Sequence, residues 1–171
     1  LIDWRAHNHE ASRIVAPWKP EPLTHDQWPP DYKAVYAWRM KTLETLRANP
    51  EALKSAKVYY STRPDEFIMH WMDTYDPRKK KIKWMPFVFF KRQSEFVLFL
   101  HSLRISGESG LTEKCRDAGA TWISCGYSIW SMIFIKDDAI GWGSRKQDLV
   151  DKLGDPDSIF EKMRLLLRRL P

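Results

Sequence analysis

The chain has little cysteine. Cys115 and Cys125 are its two thiols in 171 residues, too few for a disulfide framework and without histidines at metal-ligand spacing, so reduced thiols in a reducing compartment are expected. His7 and His9 form a pair without further ligands and read as solvent-exposed. Long apolar runs are missing as well: nothing approaches the roughly 20 uncharged residues that span a bilayer, and the apolar stretch 121–135 is too short. A membrane partner is therefore not expected. No signal peptide is recognisable, and the first residue is Leu1 rather than Met.

The composition, 43% hydrophobic, is that of a globular chain long enough to bury one core. The net charge of +6 is unevenly spread. Arg78-Lys79-Lys80-Lys81, Lys83, Lys91 and Arg92 run on without an acid between them, which suggests a nucleic-acid surface. Residues 1–28 read as irregular because Pro17, Pro20 and Pro22, followed by Pro29-Pro30, exclude long helices. From Asp31 the pattern is helical, with Tyr32, Val35, Tyr36, Leu43 and Leu46 as its apolar stripe and Asn49-Pro50 as its end. Shorter helices are predicted over 51–60 and 65–73. Residues 1–84 thus form an irregular and helical lead-in.

The most informative segment is Glu113-Lys114-Cys115-Arg116-Asp117-Ala118-Gly119-Ala120-Thr121-Trp122. In the usual phosphate-binding loop, Gly-x-x-x-x-Gly-Lys-Ser/Thr, backbone N–H groups and the start of the next helix cradle phosphates while the lysine neutralises charge and the hydroxyl holds Mg²⁺. Here Gly119 and Thr121 take the last glycine and hydroxyl positions, but Ala120 stands where the lysine belongs. Lys114 and Arg116 supply cations from the front of the loop, and either can curl back over the same phosphates. The apolar stretch after it (Trp122, Ile123, Cys125, Tyr127, Ile129, Trp130, Met132, Ile133, Phe134) predicts a helix buried on most sides.

Upstream lies Met85-Pro86-Phe87-Val88-Phe89-Phe90-Lys91-Arg92-Gln93. Many nucleic-acid motors place a glutamine after aromatics, well before the phosphate loop, where its amide matches the donor and acceptor edge of adenine. Gln93 has that place, with Phe89 or Phe90 to stack on the base. The remaining pattern predicts a helix over 93–103, a loop over 107–110, strands over 111–115 and 139–143, and a last helix with Asp155 as N-cap and Pro156 in its first position. Its apolar face is Ile159, Phe160, Met163, Leu166, Leu167 and Leu170, opposite Lys162, Arg168 and Arg169. Arg145 and Lys146, at the carboxyl end of the second strand, are weaker DNA candidates.

Through these segments the chain resembles the large terminase subunit of tailed bacteriophages. The resemblance also rests on Phe67-Ile68-Met69-His70-Trp71, Thr74-Tyr75-Asp76-Pro77-Arg78, Gly141-Trp142-Gly143-Ser144-Arg145-Lys146 and Asp151-Lys152-Leu153-Gly154-Asp155-Pro156. It implies an α/β P-loop NTPase core, a partial parallel sheet flanked by helices, over 85–171. It further implies that Lys114 and Arg116 contact phosphate along with Ala118, Gly119 and Ala120, that Thr121 binds Mg²⁺, and that Gln93 reads the adenine of ATP. The implied partners are double-stranded DNA, a small terminase subunit and the capsid portal, in a homo-oligomeric ring within the host cytoplasm.

The motor's second acidic motif, apolar residues ending in Asp-Glu, is not found. Ile133-Phe134-Ile135-Lys136-Asp137-Asp138 imitates it but runs off the end of the preceding helix without room for a crossover. No spaced set of acids suits the paired metals of a packaging nuclease. The expectation is the N-terminal portion of a longer protein, inactive as an ATPase by itself. A helicase-type nucleic-acid ATPase and a terminase-derived remnant that binds DNA or protein without hydrolysis are the alternatives.

Overall fold

The computed structural model describes Pro20 and residues 29–171; the paired His7 and His9, Pro17 and Pro22 lie outside the described residues. Asp31 opens helix α1, Tyr32–Ala48, its carboxylate accepting the N–H groups of Lys33 (2.9 Å) and Ala34 (3.2 Å). Asn49 ends α1 and starts α2, Pro50–Ser61, by accepting the N–H groups of Glu51 and Ala52, both at 3.1 Å. Proline at the first position of α2, and again of α3 (Pro64–Trp71), costs nothing there because the N–H it lacks has no helical partner. Strands β1, Asp73–Tyr75, and β2, Trp84–Pro86, pair antiparallel with Tyr75 opposite Trp84. Then follow α4, Lys91–Ser106; α5, Ala120–Phe134; a single turn, α6, Gln147–Val150; and α7, Ile159–Arg168.

The expected α/β P-loop core is overturned. Among the described residues 57% are helical, and the sheet has two antiparallel strands rather than a parallel array. Segments 111–115 and 139–143, expected as strands, are irregular. The physical reason is the strand's dependence on neighbours, since its backbone groups pair only with another strand and parallel strands are buried on both faces. Thr112-Glu113-Lys114 has no apolar face to bury, and Leu111 is 96% exposed.

The core sits between α3 and α5. Ile68, Met69 and Met72 face Ile123, Ile129 and Trp130, all at most 2% exposed. Gly126 permits this approach: a Cβ there would lie 3.1 Å from Met72 Sδ and 3.4 Å from Ile68. Trp130 Nε1 donates to the Tyr60 carbonyl at 2.7 Å, so the largest buried ring is also hydrogen-bonded. Helices α4 and α7 flank α5.

A buried ionic junction ties α1 and the end of α7 to β1. Asp73 accepts from Arg39 Nη1 at 2.7 Å and from Arg169 Nε at 3.0 Å and Nη2 at 2.8 Å. The second terminal nitrogen of Arg39 donates to the carbonyls of Met69 (3.2 Å) and Met72 (2.7 Å), which close α3. Arg169 also covers the Trp84 ring at 4.5 Å.

Other boundaries moved. The 65–73 helix stops at Trp71, and Asp73 belongs to β1. Ser158, not Asp155, precedes α7; Asp155 instead accepts the Asp157 N–H at 3.0 Å and makes a turn. Lys162, expected on an exposed face, is buried, donating to the Asp157 carbonyl at 2.7 Å and lying 5.7 Å from the Trp122 ring centre. Burial lowers its pKa. Among the described residues no helix is long and apolar enough to cross a membrane.

Candidate functional site

Helix α5 begins without a side-chain cap. Its N-cap is Gly119 at φ +77°, a left-handed conformation that glycine adopts without strain, and no side chain bonds the first-turn N–H groups. The preceding turn is unusual too, with Asp117 at φ +62°. The start of α5 therefore presents free backbone donors at the positive end of a buried helix, a setting that favours anions.

Gln93 lies against this turn. Its Nε2 donates to the Ala118 carbonyl at 3.1 Å, and its Oε1 accepts the Phe90 N–H at 3.3 Å, so the amide bridges the start of α4 to the loop before α5. A Cβ on Gly119 would sit 3.0 Å from Gln93 Nε2; glycine serves both the turn and the close approach. A primary amide has two N–H donors and two acceptor lone pairs. One of each is used, which leaves one donor and one acceptor.

The bridge borders a cleft of about 830 Å³, within the range of small-molecule sites. Aromatic rings of Tyr32, Tyr75, Phe90 and Trp122 line it, with Arg78 and Lys79 at the hairpin side and Asp76, Asp117 and Asp157 as its acids. Asp76 is neutralised locally: Arg78 Nε donates to it at 2.9 Å, and this bond holds its carboxyl below the usual range. Arg78 also lies 3.7 Å from Asp117, linking the hairpin to the loop before α5.

The cleft gathers some of the sequence-predicted residues and omits others. Gln93, Phe90 and Gly119 line it. Phe89 is fully buried and cannot stack on a ligand; Phe90, 37% exposed, can. Lys114 and Arg116 are exposed on the approach to the turn and do not line the cleft, while Ala118 lies beside it as the acceptor from Gln93. Ala120 and Thr121 are the first two residues of α5, with Thr121 exposed. Arg145 and Lys146 are exposed before α6, away from the cleft lining. Sequence reasoning missed Tyr75, Arg78, Lys79 and Trp122 as cleft residues. The run of basic residues was the available signal for two of them, but nothing local says that the hairpin folds beside α5.

Among the described residues no group of three or more His, Cys, Asp or Glu side chains can hold an ion, and Thr121 offers a single hydroxyl. Asp138, the acid in the imitation motif, is already engaged. It accepts two bonds from Arg104 Nη1, each at 2.9 Å, and a short one from the Ser131 hydroxyl. The Ser131 bond, then Arg104, hold its carboxyl below the ordinary range. Compared with models of protein families, with curated proteins and with solved structures, the chain shows no match.

Proposed function

We propose that the chain binds an adenine nucleotide in the cleft between the starts of α4 and α5, as the nucleotide-binding part of a DNA-packaging motor like the large terminase subunit it resembles. The observation that carries this reading is the half-satisfied amide of Gln93. Held from both sides, it retains one donor for adenine N7 and one acceptor for the N6 amino group. Phe90 and Trp122 offer ring faces beside it, and the uncapped start of α5 suits the phosphates. Lys114 and Arg116 then close on the phosphates from the exposed loop, with Ala118, Gly119 and Ala120 as the backbone cradle.

A bound nucleotide would supply phosphate oxygens for Mg²⁺ and Thr121 would add a hydroxyl; among the described residues the side chains form no metal site of their own. Asp138, the acid of the imitation motif, is committed to Arg104 and Ser131, and without an Asp-Glu motif this chain by itself is expected to bind without measurable hydrolysis. Translocation of double-stranded DNA, the small terminase subunit, the portal and a homo-oligomeric ring belong to the proposed motor in the host cytoplasm.

Calorimetric titration with ATP and GTP tests the reading. The wild-type chain should prefer ATP, and Gln93→Ala should erase the preference, a bidentate base contact being worth about 1–3 kcal/mol, or roughly 5- to 150-fold. Equal affinity for the two nucleotides in the wild type, or no binding of either, sinks it.

A further inference from the structure

The hairpin between β1 and β2 carries the densest positive charge of the described residues, and its geometry separates the engaged cation from the free ones. Asp76 N donates to the Lys83 carbonyl at 2.8 Å and Lys79 N to the Asp76 carbonyl at 3.2 Å, so the loop has a defined shape. Arg78 is spent inside it on Asp76, with N–H and Nε bonds of 3.1 and 2.9 Å. Lys80, Lys81 and Lys83 are exposed, and none lies in ion-pair contact with a carboxylate among the described residues. The base beneath them is fixed: Trp84 packs 5.1 Å from Tyr75 and 6.0 Å from Trp122, under the Arg169 guanidinium.

Like charges crowded on a shaped loop repel one another in the free protein and gain only beside a polyanion. Lysines are point charges without the planar fork that reads a base edge, so the partner is met through its phosphates. A membrane surface is the poorer fit, because the loop offers one exposed apolar side chain, Ile82 at 71%, and stable anchoring needs a stronger second signal. We propose that the 77–83 loop grips the phosphate backbone of duplex nucleic acid without regard to sequence, through Lys80, Lys81 and Lys83. The assignment is independent of the nucleotide reading, and the contact requires no ATP.

The test is binding of the intact chain to a fluorescent duplex of arbitrary sequence across a salt series, comparing wild type, Lys80→Gln/Lys81→Gln/Lys83→Gln and Arg145→Gln/Lys146→Gln. Each lysine that displaces counterions contributes about 0.9 to the slope of log affinity against log salt. The triple variant should therefore be shallower than wild type by about 3, with a wild-type slope in the Arg145/Lys146 variant and an unchanged circular dichroism spectrum in both. An unchanged slope in the triple variant overturns the proposal, as does loss confined to the Arg145/Lys146 variant, tighter binding to anionic phosphatidylserine vesicles than to duplex, or no duplex binding at low salt. Gln93→Ala should keep the wild-type DNA slope. Failure of adenine selectivity thus strikes the nucleotide reading alone, and failure of the lysine slope strikes the loop alone.

Discussion

Helix α5 and the segments on either side of it are adjacent in sequence and differ in physical state, although Trp142 in the segment after it packs against the core. Ile129, Trp130 and Ser131 are fully buried, whereas Leu111 before the helix is 96% exposed and Leu153 after it 78%. The difference follows from how each kind of element satisfies its backbone. A helix bonds its own N–H and C=O groups and needs neighbours only for its apolar face, which α3, α4 and α7 supply. A strand needs a partner for every backbone group, and the segments expected as strands have none among the described residues.

The buried side of that contrast should break most sharply at Asp73. Asp73→Ala leaves the Arg39 guanidinium, itself 8% exposed, facing two carbonyls with no counter-charge. Arg39 Nε already lacks a partner. Removing one member of such a pair costs about 3–5 kcal/mol, and urea unfolding of the variant should register it. Replacing Arg39 and Asp73 together by apolar residues of similar volume should cost much less, because no buried charge is then stranded. A double variant as unstable as the single one would show that the junction acts through packing rather than charge.

A pH dependence should distinguish the two regions next. His101 is buried behind α5, its Nδ1 3.1 Å from the Tyr127 hydroxyl. Burial, with a smaller contribution from Arg104, lowers its pKa from 6.5 to about 4. Above about pH 6.5 the ring is neutral in both folded and unfolded chains. As the pH falls toward 4 the unfolded ring takes up a proton that the folded one refuses, so stability declines through that window and the loss is complete below it. The denaturation midpoint should drop between pH 7 and pH 5, and His101→Gln should shrink the drop. An equal drop in the variant would move the effect to other groups.

What was legible in the sequence follows the same division. Asp31, Asn49-Pro50 and the 3.6-residue spacing of Tyr32, Val35, Tyr36, Leu43 and Leu46 announced α1 and its end, because caps and stripes act within a few residues, although Tyr36 lies 39% exposed rather than in the core. The apolar run after Thr121 announced α5 for the same reason. The spacing of Gln93 from the loop suggested only a shared nucleotide; the direct bond from its amide to the Ala118 carbonyl was not foreseen. Illegible were the features made by distant residues. The Arg39–Asp73–Arg169 junction joins positions 34 and 96 residues apart, and the burial of Lys162 depends on the turn at Asp157. The strands were misread because 111–115 was made a strand by the phosphate-loop pattern rather than by its own polar sequence, and 139–143 followed as a second member of the same expected sheet.

A smaller effect is expected at Gly119, where stability and binding should part. Gly119→Ala places a Cβ in a left-handed residue, a strain of about 1–2 kcal/mol, and 3.0 Å from Gln93 Nε2. The side chain of Gln93 must give way, so adenine selectivity should fall along with the modest loss of stability. Selectivity retained at full strength would mean that the amide reaches the base without its anchor on Ala118.

The smallest effect should be at Leu111. With 96% of its surface in water, Leu111→Ser removes no packed contact, and a substitution of this kind stays within about 0.5 kcal/mol. The matching change inside α5, Ile129→Ser at 0% exposure, loses both buried apolar surface and a cavity's worth of contacts and should cost several-fold more. Urea midpoints of the two variants sharpen the comparison to one number. Should Leu111→Ser approach the cost of Ile129→Ser, the segment before α5 is packed in solution, and the contrast between a self-sufficient helix and partnerless flanks fails.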